Sequence, residues 1–272
     1  MIFSRIIGHV KKQQWTGAFT ELAIVVLGVF IGLQANNWNQ ARQNRAAEVV
    51  YLRALAKDLD SIETSVQAQI DFETTIAHFI NQSLDEIDAP PSKNRNLRLG
   101  MLLSQLAARN TLKIESPTFR ELQSSGRLGL IRDRALRGRI VEYFFQTRRW
   151  ESALDRNNEA FVDNGYDVFL RTHGVEGVLW DPALMHEPSA LPSKLGADYL
   201  KLMHAQYGDR ILAGRNPEFD RPPGDPFWRQ LGQQLNWRAF IAGRNESIAI
   251  HIKKVTETVK AKTLAYLKKH RS

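Results

Sequence analysis

The chain has no cysteine among its 272 residues. That excludes disulfides, cysteine-ligated zinc or iron–sulfur centres and thiol nucleophiles, and it leaves cytoplasm and periplasm equally open. Ten prolines and 17 glycines are few for this length, and long stretches lack both, which favours helices over a turn-dense β architecture. The signatures of familiar chemistry are missing too. No G-x-S-x-G, S-x-x-K, G-x-G-x-x-G, G-x-x-x-x-G-K-[ST] or H-E-x-x-H occurs, so the sequence points away from an enzyme and indicates no cofactor.

What is present is ordinary globular material, 43% hydrophobic and 24% charged, with a net charge of +8. A basic balance calls for an anionic partner, nucleic acid or phospholipid headgroups. The lipid reading is favoured because the chain also carries a candidate membrane span. Residues 22–33, LAIVVLGVFIGL, form an unbroken apolar and glycine run. Phe19 and its neighbours extend it on one side and Gln34 and Ala35 weakly on the other. Trp15 and Trp38 bracket it about 34 Å apart on a helix, which suits a hydrocarbon core of about 30 Å with an aromatic belt at each interface.

A cleaved signal peptide is the rival reading. Cleavage after Ala35 would put Leu33 where a small residue is preferred, and the run continues directly into helix-forming sequence. The expectation is therefore a short basic tail over 1–18, a transmembrane helix over 19–38 and a soluble helical domain over 39–272. Arg5, Lys11 and Lys12 precede the run with no acidic residue before Glu21, and Arg42, Arg45, Arg53 and Lys57 follow it, offset only in part by Glu48, Asp58 and Asp60, so the positive-inside count is nearly balanced. A short basic tail before an uncleaved anchor favours a cytoplasmic N-terminus and a periplasmic domain at a bacterial inner membrane.

At 100° per residue, Glu21, Val25, Gly28, Gly32 and Ala35 fall on one face of the span. Gly28-x-x-x-Gly32 is the small-residue pattern that lets two helix backbones approach. One reading of this face is a homodimer interface; the other is a lipid-facing helix whose Glu21 snorkels to the headgroups.

In the soluble part, residues 41–87 read as one long helix. Leu52, Leu55, Leu59, Ile62 and Val66 step by three and four, and the seam then weakens because Gln69 and Glu73 take the next positions. A second helix follows near 97–108, and a third starts at Ser116-Pro117 and ends at Ser124-Ser125-Gly126. Asp133 is the expected N-cap of a fourth. Residues 172–226 hold seven of the ten prolines and form an irregular insertion around a short helix at 197–207. A last long helix over 227–270, interrupted at most by bends at Gly232 and Gly243, is expected to pair antiparallel with the first. The fold class is all-α, a membrane helix continuing into a long-helix bundle.

That pairing returns Lys260, Lys262, Lys268, Lys269 and Arg271 toward the bilayer, where they are candidates for anionic headgroups at about 1 kcal/mol per cation. Arg127, Arg132, Arg134, Arg137 and Arg139 form the densest basic cluster, with the solvated side of an amphipathic turn as its simplest reading. His173, His186 and His204 fall in or near the insertion without metal-ligand spacing.

Two stretches, ELAIVVLGVFIGLQANNWN at 21–39 and FRELQSSGRLGLIRD at 119–133, resemble a bacterial family of single-pass membrane proteins carrying a domain of unknown function. The resemblance implies an anchor in which Glu21, Gln34, Asn36, Asn37 and Trp38 act as one unit, and a helical domain. It implies no catalytic residue. The expected function is a membrane-anchored interaction or scaffold module with a protein partner, the alternative being a ligand-sensing domain coupled to the span.

Overall fold

The computed structural model describes residues 3–92, 95–175, 201–202, 205–206 and 216–270, with side chains from Phe19 onward except that of Leu97. Every regular element among the described residues is helical. Helix α1 runs unbroken from Phe3–Asp88, 86 residues, or about 129 Å at 1.5 Å per residue. It stops before Pro90-Pro91, and Arg95 closes its end by donating from Nε to the Glu86 carbonyl and from Nη2 to that of Ile87, both at 2.9 Å.

Helices α2 (Arg95–Leu106) and α3 (Pro117–Ser124) follow. Ser116 caps α3 by accepting from Phe119 N, and Gly126 takes the left-handed conformation (φ 68°) just past its end. Helix α4 (Arg134–Asn157) is capped by Asp133, whose carboxylate accepts from Ala135 N and Leu136 N. It passes through a π-helical stretch, Asn158–Tyr166, into α5 (Asp167–Thr172). Helix α6 (Pro226–Lys269) then spans 44 residues and passes both Gly232 and Gly243 without interruption. Much of the proline-rich insertion, including His186, His204 and part of the expected short helix, lies outside the described residues.

Helices α1 and α6 pair antiparallel. Glu48 meets Tyr266, Glu63 meets Lys260, Gln67 meets Lys253 and Thr74 meets Glu246. On α1 the buried residues Glu48, Leu52, Leu55, Leu59, Ile62, Val66, Gln69, Glu73, Ile76, Ile80 and Ser83 form an unbroken alternation of four and three, and Ala56, Phe72 and Phe79 are buried beside them. This corrects the expectation that the seam fades at Gln69 and Glu73. Both are buried within it, and Ile76, Phe79 and Ile80 continue the core beyond them.

Those two residues belong to a polar layer between two apolar cores. One core gathers Leu52 to Val66 of α1, Leu136 to Leu154 of α4 and Ala249 to Leu267 of α6; the other gathers Phe72 to Ile80, α2, Tyr166 and Phe227 to Ala242. In the layer, Glu73 Oε1 accepts from Gln69 Nε2 (2.8 Å) and Asn245 Nδ2 (3.1 Å). Asn245 also accepts from Asn157 Nδ2 (2.9 Å) and donates to Asn158 Oδ1 (3.0 Å). The junction of α4 with the π-helical stretch thus turns two consecutive asparagines toward one partner.

Candidate functional site

Residues 19–38 are helical, and no part of the described protein covers them. Ten large apolar side chains, Phe19, Leu22, Ile24, Val25, Val26, Leu27, Val29, Phe30, Ile31 and Leu33, are each more than half exposed. Burying a side chain of this kind is worth about 1.5–3 kcal/mol, so leaving ten in water forgoes roughly 15–30 kcal/mol. That exceeds the roughly 5–15 kcal/mol by which a whole domain is normally stable. The segment is the one helix among the described residues long and apolar enough to cross a membrane.

Glu21, Val25, Gly28, Gly32 and Ala35 are all exposed, and a Cβ placed on either glycine would meet nothing within 4 Å. Their shared face is open to a second helix or to lipid. Trp38, 68% exposed, has the Arg42 guanidinium 5.7 Å from its ring centroid, which holds an aromatic and a cation together at the end of the apolar run. The side chains of Trp15 and Arg271 lie outside the described residues.

Ten residues past Trp38, α1 enters the bundle at Glu48, which is 1% exposed. Its Oε1 accepts from Arg132 N and Tyr266 Oη, both at 2.8 Å, and its Oε2 from Arg132 Nε at 2.8 Å. One carboxylate thus ties α1, the turn before α4 and the last turns of α6. The 119–133 stretch clasps the same part of α1. Phe119, Leu122 and Ile131 are buried, and the Phe119 ring stacks on Phe144 with centroids 4.1 Å apart. Tyr51 Oη donates to Glu121 Oε1 (2.6 Å), while Asp58 Oδ2 accepts from Ser116 Oγ (2.6 Å) and Thr118 N (3.0 Å). The turn at Ser124-Ser125-Gly126 ends a helix, and the motif is a collar around α1.

Glu48→Ala is expected to cost about 2–3 kcal/mol in urea unfolding, the range for losing several hydrogen bonds to a buried charge. It should fall short of the larger penalty for a stranded buried ion, because Arg132 is 48% exposed and can rehydrate. A loss under about 0.5 kcal/mol would show that the tie contributes nothing.

The basic residues divide. Lys260 is held by Asp60 and Glu63, so it stands apart from the expected lipid-facing set. Lys262, Lys268 and Lys269 are exposed near the same end of the bundle as Trp38. Of the arginine cluster, Arg132 pairs with Glu48, Arg127 donates to Tyr51 Oη and Arg137 to the Ile131 carbonyl. Arg134 and Arg139 are exposed, and among the described residues neither is held in an ion pair. His173 bonds to Glu218 through Nδ1 at 3.1 Å, and no group of three metal-ligating side chains occurs among the described residues.

The sequence pattern did not reveal Glu48 and Tyr51 as anchors of the 119–133 stretch, or Asp58 as the anchor of Ser116 and Thr118 just before it. A tyrosine and two acids on one face of an otherwise apolar seam were the available signal. The chain matches no family model, no curated protein and no solved structure.

Proposed function

We propose that this protein is a membrane-anchored interaction module, with residues 19–38 in the bilayer and the bundle beyond them as its binding part. The observation that carries this reading is the exposure of ten large apolar side chains on a helix that continues without a break into the core seam. Lipid is the solvent that removes the resulting penalty. The resemblance to single-pass bacterial proteins agrees with it. Basic residues flank the span on both sides, and the short basic tail ahead of an uncleaved anchor favours a cytoplasmic N-terminus and a periplasmic bundle at an inner membrane. Lys268 then faces the headgroups together with Arg42 and Arg45, while Lys262 and Lys269 line the α4–α6 side of the bundle.

Alkaline carbonate extraction and N-terminal sequencing of the mature chain test the anchor. The chain is expected to stay with the membrane pellet and to retain residues 19–38; release into the wash, or a mature start beyond Ala35, overturns the reading. Protease added to spheroplasts should digest the bundle, whereas protection until lysis would reverse the orientation.

The proposal places self-association on the Gly28–Gly32 face. Gly28→Ile with Gly32→Ile should abolish crosslinked dimer in native membranes, because each isoleucine holds the backbones apart. Unchanged crosslinking assigns that face to lipid alone.

A further inference from the structure

In the half of the bundle nearest Trp38, α1, α4 and α6 pack around one core, and their flanking furrows are treated differently. The furrow beside α1 and α4 is filled by α3, whose Phe119 and Leu122 are buried there. The furrow between α4 and α6 is open, with a volume of about 650 Å³. Its floor is Tyr143, Val255 and Val259, and it runs from Arg134 to Trp150. Those ends lie about 24 Å apart along α4.

The shape selects the class of occupant. All of the lining residues come from two helices, so the furrow has two walls and no roof. A small molecule is normally enclosed over most of its surface, which this furrow cannot do. A rod laid along it can bury one face, as an amphipathic helix does in a groove. Ala135 and Gly138 line α4's side of the furrow, and a Cβ built on Gly138 meets nothing within 4 Å, so a helix backbone can come close.

Charge selects further. Arg134, Arg139 and Lys262 line the furrow, are exposed, and among the described residues have no ion-pair partner. Lys269 continues the basic edge in the adjoining hollow, which shares Arg139 and Lys262 and whose one carboxylate, Asp133, accepts from the first backbone amides of α4. Glu142 is the sole carboxylate lining the main furrow, and it accepts from Gln146. We propose that the α4–α6 furrow is the docking site for an acidic amphipathic helix of a partner protein. The inference rests on the reading of the chain as an interaction module and specifies the chemistry of its partner.

The test uses the full chain in nanodiscs of zwitterionic lipid. The probes are two fluorescein-labelled 18-residue helical peptides with one leucine–alanine stripe, one with a glutamate polar face and one with a lysine polar face. The glutamate peptide should bind saturably by anisotropy and weaken with salt, and the lysine peptide should not bind. Arg139→Glu with Lys262→Glu should weaken the glutamate peptide about ten-fold or more and let the lysine peptide bind, a swap that a misfolded variant cannot give. Gly138→Trp, at a position where an added Cβ meets nothing within 4 Å, should weaken binding comparably at an unchanged melting temperature. Equal binding of both peptides, no saturable binding below about 100 µM, or indifference to either variant overturns the proposal. Displacement of the glutamate peptide by stoichiometric phosphatidylglycerol also overturns it, in favour of an anionic lipid. Failure here leaves carbonate resistance untouched, and failure of carbonate resistance leaves peptide binding untouched.

Discussion

Replacing Arg238 with methionine should lower the unfolding free energy by about 3–5 kcal/mol, the range for removing one partner of a buried ion pair. Arg238 is 2% exposed. Its Nε donates to the Leu106 carbonyl at 2.9 Å and its Nη2 to that of Ala108 at 3.2 Å, so it satisfies the C-terminal end of α2 from across the bundle. Its Nη1 lies 3.8 Å from Glu73 Oε2, and neither atom has a hydrogen-bond partner. Methionine fills similar volume, but it strands the two carbonyls and leaves the Glu73 carboxylate without its counter-charge. Glu73→Leu with Arg238→Met should recover more than half of the loss, because an apolar pair needs no compensation. Urea unfolding followed by far-ultraviolet circular dichroism measures both. If the double variant is no more stable than Arg238→Met, the pairing account is wrong.

The same layer sets a pH dependence. Burial raises the Glu73 carboxyl above the ordinary carboxylate range, against the pull of Arg238 and the hydrogen bonds from Asn245 and Gln69. Burial also lowers the Arg238 guanidinium, against the pull of Glu73. The folded state therefore holds the Glu73 proton more tightly than the unfolded state does. The corresponding stability is fully present below the unfolded pKa of a glutamate and is lost as pH rises through the raised folded value. Glu73→Gln should flatten that fall in a series of urea titrations from acid toward neutral pH.

The second large effect is expected at Phe119. Phe119→Ala should cost about 3–5 kcal/mol, the range for emptying a buried aromatic site. The ring is 5% exposed and stacked on Phe144, which itself meets Tyr143 edge-on at 4.8 Å, so the neighbours are too constrained to collapse into the space. Arg120→Ala, next along the chain, removes an exposed side chain whose pair with Glu115 spans 3.6 Å and should shift stability by less than about 0.5 kcal/mol. The contrast tests whether 119–133 is a structural collar. If Phe119→Ala is mild, the stretch is conspicuous in the sequence for another reason.

Local signals made much of this fold legible. Ser116-Pro117, Asp133 and Gly126 announce helix ends through chemistry confined to a few residues, and each acts where expected. The antiparallel pairing of α1 with α6 followed from two long runs free of proline. The polar layer was not legible. Gln69 and Glu73 read as the end of a seam because the Asn245 amide that donates to Glu73, the Arg238 charge facing it and the Asn157 and Asn158 side chains that hold Asn245 stand far away in sequence. A buried polar residue is tolerated according to its partners, which periodicity alone does not reveal. The π-helical stretch at 158–166 carries no marker in NEAFVDNGY; its wider turn is visible only in the backbone. Lys260 is indistinguishable from its basic neighbours along the chain, and the Asp60 and Glu63 that hold it lie about 200 residues away in sequence.

On the proposed reading, the unbroken α1 has a mechanical corollary. Its far end at Asp88 stands about 75 Å beyond Trp38 along one helix. Without a joint at the bilayer surface, a tilt of about 20°, ordinary for a membrane helix, swings that tip sideways by roughly 26 Å. The protein then works as a boom: lateral reach over the membrane is governed by the lean of its mast, and a thinner or thicker bilayer changes the area the head can sweep.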